Sequence, residues 1–214
     1  LIPRHKLDTF LQLYKAAFRK MFPSINGNPH YTSIINAHSL QRLQDWLKDA
    51  SEKGARIESV SDETIDDGTF RMPLHLVTEV TDEMKIMQHE LFGPILPVIP
   101  YDTIEAALAY VKQRPRPLSL YLFSYDPALQ ERVTLSTHSG SICINDALIQ
   151  VGVDDLPFGG IGQSGMGHYH GHEGFLTMSK AKSILRKGRI NSMKPVYPPY
   201  GGIIQKWLLR WLTR

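Results

Sequence analysis

The chain has 214 residues, of which 42% are hydrophobic and 21% are charged, a balance typical of a globular protein with a sizeable core. It contains no apolar run of roughly 18 residues or more, so the sequence offers no candidate for a membrane-spanning helix. Its one cysteine excludes an internal disulfide framework and predicts a cytoplasmic location.

The elements predicted along the chain alternate between helix and strand. Residues 1–3 are typical of the end of a strand, which suggests that this strand begins upstream of the sequence. Apolar periodicity and capping residues then predict helices from residues 7, 40, 104 and 127, and strands over residues 56–60, 74–80, 95–99, 118–125 and 140–145. This order favours an α/β fold with a mostly parallel sheet flanked by helices on both faces.

A carboxylate, an aromatic ring and a Gly-Pro turn precede the strand at residues 95–99. They occur in the segment His89-Glu90-Leu91-Phe92-Gly93-Pro94. At the entrance to a strand, such a segment could present Glu90 and Phe92 to a ligand. The other interpretation is a plain turn with one solvated glutamate and one core phenylalanine.

A glycine-rich segment covers residues 156–167. It has five glycines in the nine residues that begin at Gly159, too many for the interior of a helix or strand. This density indicates a loop whose backbone approaches something closely. No Gly-Lys-Ser/Thr sequence closes it as in a phosphate-binding P-loop, and its match to the dinucleotide-binding glycine pattern lacks a preceding strand.

Two further candidates for chemistry are histidines and the cysteine. His168, His170 and His172 alternate, so on a strand they would share one face and could bind a metal, although no cysteine accompanies them. We expect no metal site. Cys143 lies in an apolar strand without a neighbouring base, which predicts an inert core residue.

The end of the sequence is basic and amphipathic. Every acidic residue lies at or before Glu173, leaving 15 basic against 21 acidic residues up to that point (about −6) and nine basic residues after it (+9). Near the end, apolar side chains recur at helical spacing, at Ile204, Trp207, Leu208, Trp211 and Leu212. The basic side chains of Lys206, Arg210 and Arg214 lie beside this stripe. The predicted helix is too short to cross a membrane. It fits packing on a partner subunit or covering a channel mouth, and it also fits an anionic membrane surface.

Together and in this order, the motifs resemble those of the aldehyde dehydrogenase family. Residues 90–94 resemble its E-[IL]-F-G-P signature, and residues 157–167 resemble its P-F-G-G-x-G-x-S-G-x-G loop. Residues 121–124, 139–140 and 145–146 fit the segments between them. Residues 166–171 and 197–199 resemble the class 3 branch, and within it the bacterial coniferyl aldehyde dehydrogenases. The resemblance covers essentially the whole chain, as the C-terminal half of such an enzyme.

The resemblance implies roles for particular residues. Glu90 would bind the nicotinamide ribose hydroxyls of NAD or NADP, and Phe92 would flank the nicotinamide. Asn145, Ile149, Tyr169 and His170 would border the substrate funnel. The nucleophilic cysteine, the general-base glutamate and the nucleotide-binding domain of the family would all lie upstream. We therefore expect no catalytic residue here and no aldehyde oxidation by this chain alone.

The expected organisation has three parts: a catalytic-domain part over residues 1–178, an oligomerisation arm strand over residues 179–190, and a basic tail with its helix over residues 191–214. The resemblance implies that residues 182–187 extend the sheet of a partner subunit in a homodimer. The expected substrate is an aldehyde, with coniferaldehyde or another aromatic or aliphatic aldehyde as candidates. Nucleic acid is not an expected partner, and peripheral membrane contact of the tail helix stays open.

Two other classes of function remain as alternatives. The chain could be a non-catalytic module that uses its basic tail on nucleic acid or an anionic membrane, or it could be a histidine-rich metal protein. Neither alternative gives a role to the glycine-rich segment or to residues 90–94, so the enzyme interpretation ranks first.

Overall fold

The computed structural model of the chain describes residues 1–66, 68–190 and 197–213. Asp67, residues 191–196 and Arg214 lie outside the described residues, so the predicted basic tail is described only in part. The strands are β1 Ile2–Pro3, β2 Arg56–Ser59, β3 His75–Thr78, β4 Ile95–Pro97, β5 Pro100–Tyr101, β6 Ser119–Leu122 and β7 Ser141–Ile144. The helices are α1 Leu7–Met21, α2 Ala37–Glu52, α3 Lys85–Gln88, α4 Ile104–Lys112, α5 Pro127–Ser136, α6 Gly171–Thr177 and α7 Ile203–Leu212. Short 3-10 turns cover Arg4–Lys6 and Ile149–Gly152.

The described strands form three short sheets. β1 pairs with β5, β3 with β4 and β6 with β7, all in parallel, whereas β2 pairs with β3 antiparallel. The predicted α/β fold with mostly parallel strands flanked by helices is confirmed. It differs from the expected single sheet because the described strands are shared among separate sheets of two, three and two strands.

The central sheet β2-β3-β4 is covered by a helix on each face. Successive side chains of a strand point to opposite faces. Val77 of β3 accordingly packs in a core with Leu43 of α2, while Leu76 packs in a second core with Leu11 and Phe18 of α1. The apolar stripes that predicted α1 and α2 therefore bury themselves on opposite sides of one sheet.

Capping side chains fix where the helices begin. The Asn36 side chain accepts a hydrogen bond from the Ser39 amide (2.8 Å) at the start of α2. At α4 the Thr103 hydroxyl accepts from the Ala106 amide (3.2 Å), and at α5 Asp126 accepts from the Ala128 amide (3.0 Å), ahead of Pro127 at the first helical position. These bonds satisfy amides that have no partner within the helix, which confirms the two starts predicted from the sequence.

The C-terminal part has less secondary structure. Residues 179–188 lie in no helix or strand, and Ile184 and Leu185 are exposed, Leu185 by 96%. A strand needs a hydrogen-bonded neighbour, so the arm at residues 179–190 stays a prediction about a dimer. Within the described part of the chain, no helix is long and apolar enough to cross a membrane.

Candidate functional site

The turn that leads into β4 holds an aromatic ring away from the core. Phe92 is 77% exposed and has a φ of 48°, in the left-handed region that a bulky residue rarely adopts. Glu90, two residues before it, is also exposed. Such a conformation persists only where the surrounding structure enforces it, and it is enriched at ligand sites. The structure thus presents both predicted side chains to solvent, and the core interpretation of Phe92 is wrong.

Side chains of α2 hold this turn. The Arg42 guanidinium donates a hydrogen bond to the carbonyl oxygen of Leu91 (3.0 Å) and lies 4.4 Å from the centre of the Trp46 ring. The same indole stacks with the His89 ring at a centroid separation of 5.2 Å. The carbonyl just before Phe92 and the ring just before Glu90 are therefore both fixed to one helix.

Gly93 allows the turn to approach α2 closely. A Cβ atom at this position would lie less than 3.0 Å from a terminal methyl of Leu43, which is fully buried in the core. A side chain here would force the buried Leu43 side chain to move, so glycine lets the start of β4 pack directly against the helix that carries Arg42. On its other side, the Pro94 carbonyl accepts a hydrogen bond from the His75 amide (2.8 Å), which connects the turn to β3.

A cavity of about 680 Å³ opens beside Phe92. Arg42, Tyr31 and His30 are in its wall, together with residues 32–35, and the glycine loop is not. The Tyr31 hydroxyl donates a hydrogen bond to the Met72 carbonyl (2.7 Å), and burial raises the pKa of Tyr31 to about 12. The ring therefore stays neutral and fixed in the cavity wall under ordinary conditions.

The glycine-rich segment is a loop that packs on its own backbone. A Cβ on Gly159 would lie less than 3.0 Å from the carbonyl oxygen of Gly167, and one on Gly160 would clash with the carbonyl of Ser164. The Ser164 hydroxyl closes the loop, accepting from the Ile161 amide (2.9 Å) and donating to the Ile161 carbonyl (3.1 Å). A Cβ on Gly140, just before β7, would likewise lie less than 3.0 Å from the carbonyl oxygen of Gly159. The close approach predicted from the glycines is thus made within the chain itself.

Two of the predicted funnel residues join a ring cluster at the end of this loop. Tyr169 contacts His170 at a centroid distance of 4.1 Å and Phe158 at 5.9 Å, edge to face. The Tyr169 amide donates to the Phe158 carbonyl (3.1 Å), so backbone and rings are held together. The Nδ1 atom of His170 is buried without a described hydrogen-bond partner. The structure brings Phe158 to this pair, a contact that the sequence did not predict.

The other two predicted funnel residues lie after β7. Asn145 has a left-handed backbone (φ 61°). Its side-chain amide accepts a hydrogen bond from the Ser124 backbone amide (2.8 Å) and donates one to the Ser124 carbonyl (3.0 Å). It therefore fastens the ends of β6 and β7. Ile149 is exposed in the 3-10 turn, while the neighbouring Gln150 turns inward to hydrogen-bond Ser119 (3.3 Å). Among the described residues, no hydrogen bond or ring contact joins Asn145 or Ile149 to the ring cluster, and their bordering of a funnel stays a prediction.

The remaining candidates lie in structural positions. Cys143 is 8% exposed within β7, as its apolar strand predicted. Residues 168–170 form no strand and His172 lies in α6, so the strand face on which the histidines would line up is absent from this described segment. Among residues 1–66, 68–190 and 197–213, no three histidine, cysteine, aspartate or glutamate side chains are grouped as metal ligands would be.

Arg42, Trp46 and Gln150 were missed as site residues by sequence reasoning. Trp46 contributes only to the apolar periodicity that predicts α2, yet its ring is half-exposed and contacts both Arg42 and His89. The spacing of Arg42 and Trp46, four residues apart on one helix face, is a signal for their contact with each other. Their partners in the turn are more than 40 positions away, and no local pattern indicates them.

Comparisons with known proteins show the family to which the chain belongs. The model of the Aldehyde dehydrogenase family matches residues 1–184. A probable coniferyl aldehyde dehydrogenase of Pseudomonas aeruginosa is 52% identical over 214 residues, which are 100% of this chain and 44% of that protein. The solved substrate-bound state of AldH from Staphylococcus aureus has a TM-score of 0.82 and 33% identity, and covers 100% of this chain and 45% of its own. An aldehyde dehydrogenase of Mycobacterium tuberculosis complexed with NAD⁺ has a TM-score of 0.73 and 25% identity over 89% of this chain and 39% of its own. The chain therefore spans less than half the length of these relatives.

Proposed function

Because this chain belongs to the aldehyde dehydrogenase family, we propose that it is the catalytic and oligomerisation part of an NAD(P)-dependent enzyme that oxidises an aldehyde to a carboxylic acid. The observation that carries the proposal is the exposed pair Glu90 and Phe92, on a turn that Arg42 and Trp46 fix in a strained conformation. The name of the Pseudomonas aeruginosa relative makes coniferaldehyde the first substrate to test.

The residues of the turn fit a nicotinamide cofactor. Glu90 is an exposed carboxylate, which can accept charge-assisted hydrogen bonds from the two hydroxyls of a ribose. The Phe92 ring is an exposed apolar surface that can cover one face of a flat heterocycle. The Mycobacterium tuberculosis neighbour is described as complexed with NAD⁺, which supports this choice of ligand.

The proposal assigns this chain to binding and orientation, with the bond-making residues elsewhere. When bound, the nicotinamide supplies the hydride acceptor for the oxidation. Glu90 holds the ribose, Phe92 positions the ring, and Asn145, Ile149, Tyr169 and His170 border the path of the aldehyde. The thiohemiacetal and thioester form on a cysteine upstream of residue 1, and an upstream glutamate activates the water that hydrolyses the thioester. On this proposal the chain alone does not oxidise aldehydes.

Two further features belong to the same proposal. Residues 182–187 pair as an arm strand with the sheet edge of a second subunit, giving a homodimer; the exposed Ile184 and Leu185 support this because they would be buried in such a pair. The enzyme is cytoplasmic, as the single cysteine suggests.

The test is aldehyde-dependent reduction of NAD⁺ and NADP⁺ by the complete gene product, with coniferaldehyde and a simple alkanal as substrates. The Glu90→Gln variant should raise the KM for the cofactor about tenfold or more, because charge-assisted hydrogen bonds are lost. Glu131→Gln, which changes an exposed glutamate on α5, is the matched control and should leave the KM unchanged. No reduction of either cofactor with either aldehyde would refute the proposal and favour the non-catalytic alternative. Activity of the 214-residue chain alone would contradict the upstream position of the nucleophile.

A further inference from the structure

The tail helix α7 has an apolar face that nothing in the described chain covers. Trp207 and Trp211 are 70% and 69% exposed, and Ile203 and Ile204 are exposed as well. At 100° per residue, these four side chains fall within about one-third of the helix circumference. No residue of α7 is buried. An exposed stripe with two tryptophans marks an interaction surface.

The opposite side of α7 is directed toward its own connecting segment. The Gln205 side chain accepts from the Gly201 amide (2.8 Å) and donates to the Tyr197 carbonyl (3.0 Å), which folds residues 197–202 against the helix. A cavity of about 350 Å³ lies between them, with Tyr200, Leu208 and Leu212 in its wall. This arrangement fixes the direction in which Trp207 and Trp211 point, away from the connecting segment.

Positive charge borders the apolar stripe. Lys206 and Arg210 follow it along one edge of the helix, and both are exposed. No acidic residue occurs after Glu173, whereas nine lysines and arginines do. A second copy of α7 would bring an equally positive helix to the contact and would be repelled. A surface that carries negative charge and also accepts apolar side chains suits this face.

We propose that α7 is a membrane-surface helix that attaches the protein to anionic lipid bilayers. The ten residues of Ile203–Leu212 span about 15 Å, half the thickness of the hydrocarbon core, so the helix lies parallel to the surface. The isoleucines enter the acyl boundary and the indoles lie at headgroup depth, where their apolar bodies and polar N–H groups are both satisfied. Lys206 and Arg210 bind lipid phosphates and carboxylates. This surface would concentrate the protein where apolar aldehydes partition.

The experiment is co-sedimentation of the complete gene product with vesicles of phosphatidylcholine, with and without phosphatidylserine. Binding should require phosphatidylserine. Lys206→Gln with Arg210→Gln should lower the binding constant roughly 30-fold, since each cation near an anionic surface contributes about fivefold. Trp207→Ala with Trp211→Ala should lower it more than tenfold. The matched controls are Lys20→Gln with Lys112→Gln, and Leu13→Ala with Leu135→Ala, all at exposed body positions; these should bind as the parent does.

Tryptophan fluorescence supplies a second measurement that does not depend on activity. Phosphatidylserine vesicles should shift the tryptophan emission to shorter wavelength, and Trp207→Phe with Trp211→Phe should abolish this shift. Equal binding to neutral vesicles, or body controls that lose binding as strongly as the tail variants, would overturn the proposal. So would duplex DNA that binds in competition with vesicles at equal phosphate concentration, or loss of a dimer in light scattering when the two tryptophans are replaced.

Discussion

The turn at residues 89–94 and the glycine loop at residues 156–167 both hold backbone in an unusual conformation, by opposite means. The turn is held by side chains that reach it from α2, namely the Arg42 guanidinium and the Trp46 ring. The glycine loop is held by the absence of side chains, because Gly159 and Gly160 face carbonyl groups of the same loop. The turn therefore depends on side chains of another element, whereas the loop depends on the lack of side chains at its own glycines.

This difference predicts how each region responds to change. A turn fastened by several weak contacts loosens by degrees, since each contact contributes only about 1–3 kcal/mol. A backbone packed against backbone has no flexible atom to move aside, so one added methyl group displaces the whole loop. The turn is thus suited to a ligand that must be held and released, and the loop to a rigid boundary beside the Phe158, Tyr169 and His170 rings.

The largest effect is expected in the glycine loop. Gly159→Ala places a Cβ against the Gly167 carbonyl and should reduce the free energy of unfolding by about 3–5 kcal/mol. The control is Gly152→Ala, where a Cβ meets nothing within 4 Å and stability should stay within about 0.5 kcal/mol of the parent. Urea unfolding of both variants measures the difference. Equal midpoints would show that the loop relaxes and that the contrast with the turn is false.

A moderate effect is expected from removing the contacts by which Arg42 holds the turn at residues 89–94. Arg42→Ala loses the hydrogen bond to Leu91 and the contact with Trp46, and should destabilise the chain by about 1–3 kcal/mol. Arg42→Lys keeps the charge without the planar group and should recover only part of this. On the same helix, Lys48→Ala removes an exposed side chain 3.9 Å from Glu52 and serves as the control, with less than about 0.5 kcal/mol expected. If Arg42→Ala unfolds like Lys48→Ala, the turn is held by something else.

The sequence predicts the parts of this comparison that are local. Apolar periodicity and the capping residues Thr103 and Asp126 locate the helices closely, and the glycines of residues 156–167 indicate close approach. The hydrogen bond that holds the turn is not local, because Arg42 and Leu91 are 49 positions apart and meet only when α2 packs on the central sheet. The predicted strands are also longer than the observed ones, as at residues 74–80. β3 ends at Thr78 because Glu79 takes a left-handed φ of 57°, which apolar alternation does not reveal.

A smaller effect, of opposite sign, is expected at Phe92. Phe92→Gly removes the steric cost of the left-handed backbone but enlarges the unfolded ensemble, so stability should stay level or rise by up to about 1 kcal/mol. Cofactor affinity of the complete enzyme should fall, because the exposed ring is lost. Phe92→Ala keeps the strained φ and should lose affinity without gaining stability. A Phe92→Gly variant as unstable as Arg42→Ala would identify the ring as a packing residue.

At neutral pH no effect on stability is expected from the ionisation of Tyr31, but at alkaline pH it should affect only one of the two regions. Tyr31 lies in the wall of the cavity beside Phe92, and burial raises its pKa to about 12, above the ordinary value of about 10. Because the folded state favours the neutral phenol, this contribution to stability is complete below about pH 10 and is lost as the pH rises through about 12. Tyr31→Phe should therefore flatten the alkaline decline in the free energy of unfolding. Residues 156–167 contain no titratable side chain. The alkaline change should accordingly appear first in the Trp46 fluorescence near the turn, and hydrogen exchange of the glycine loop amides should follow only global unfolding.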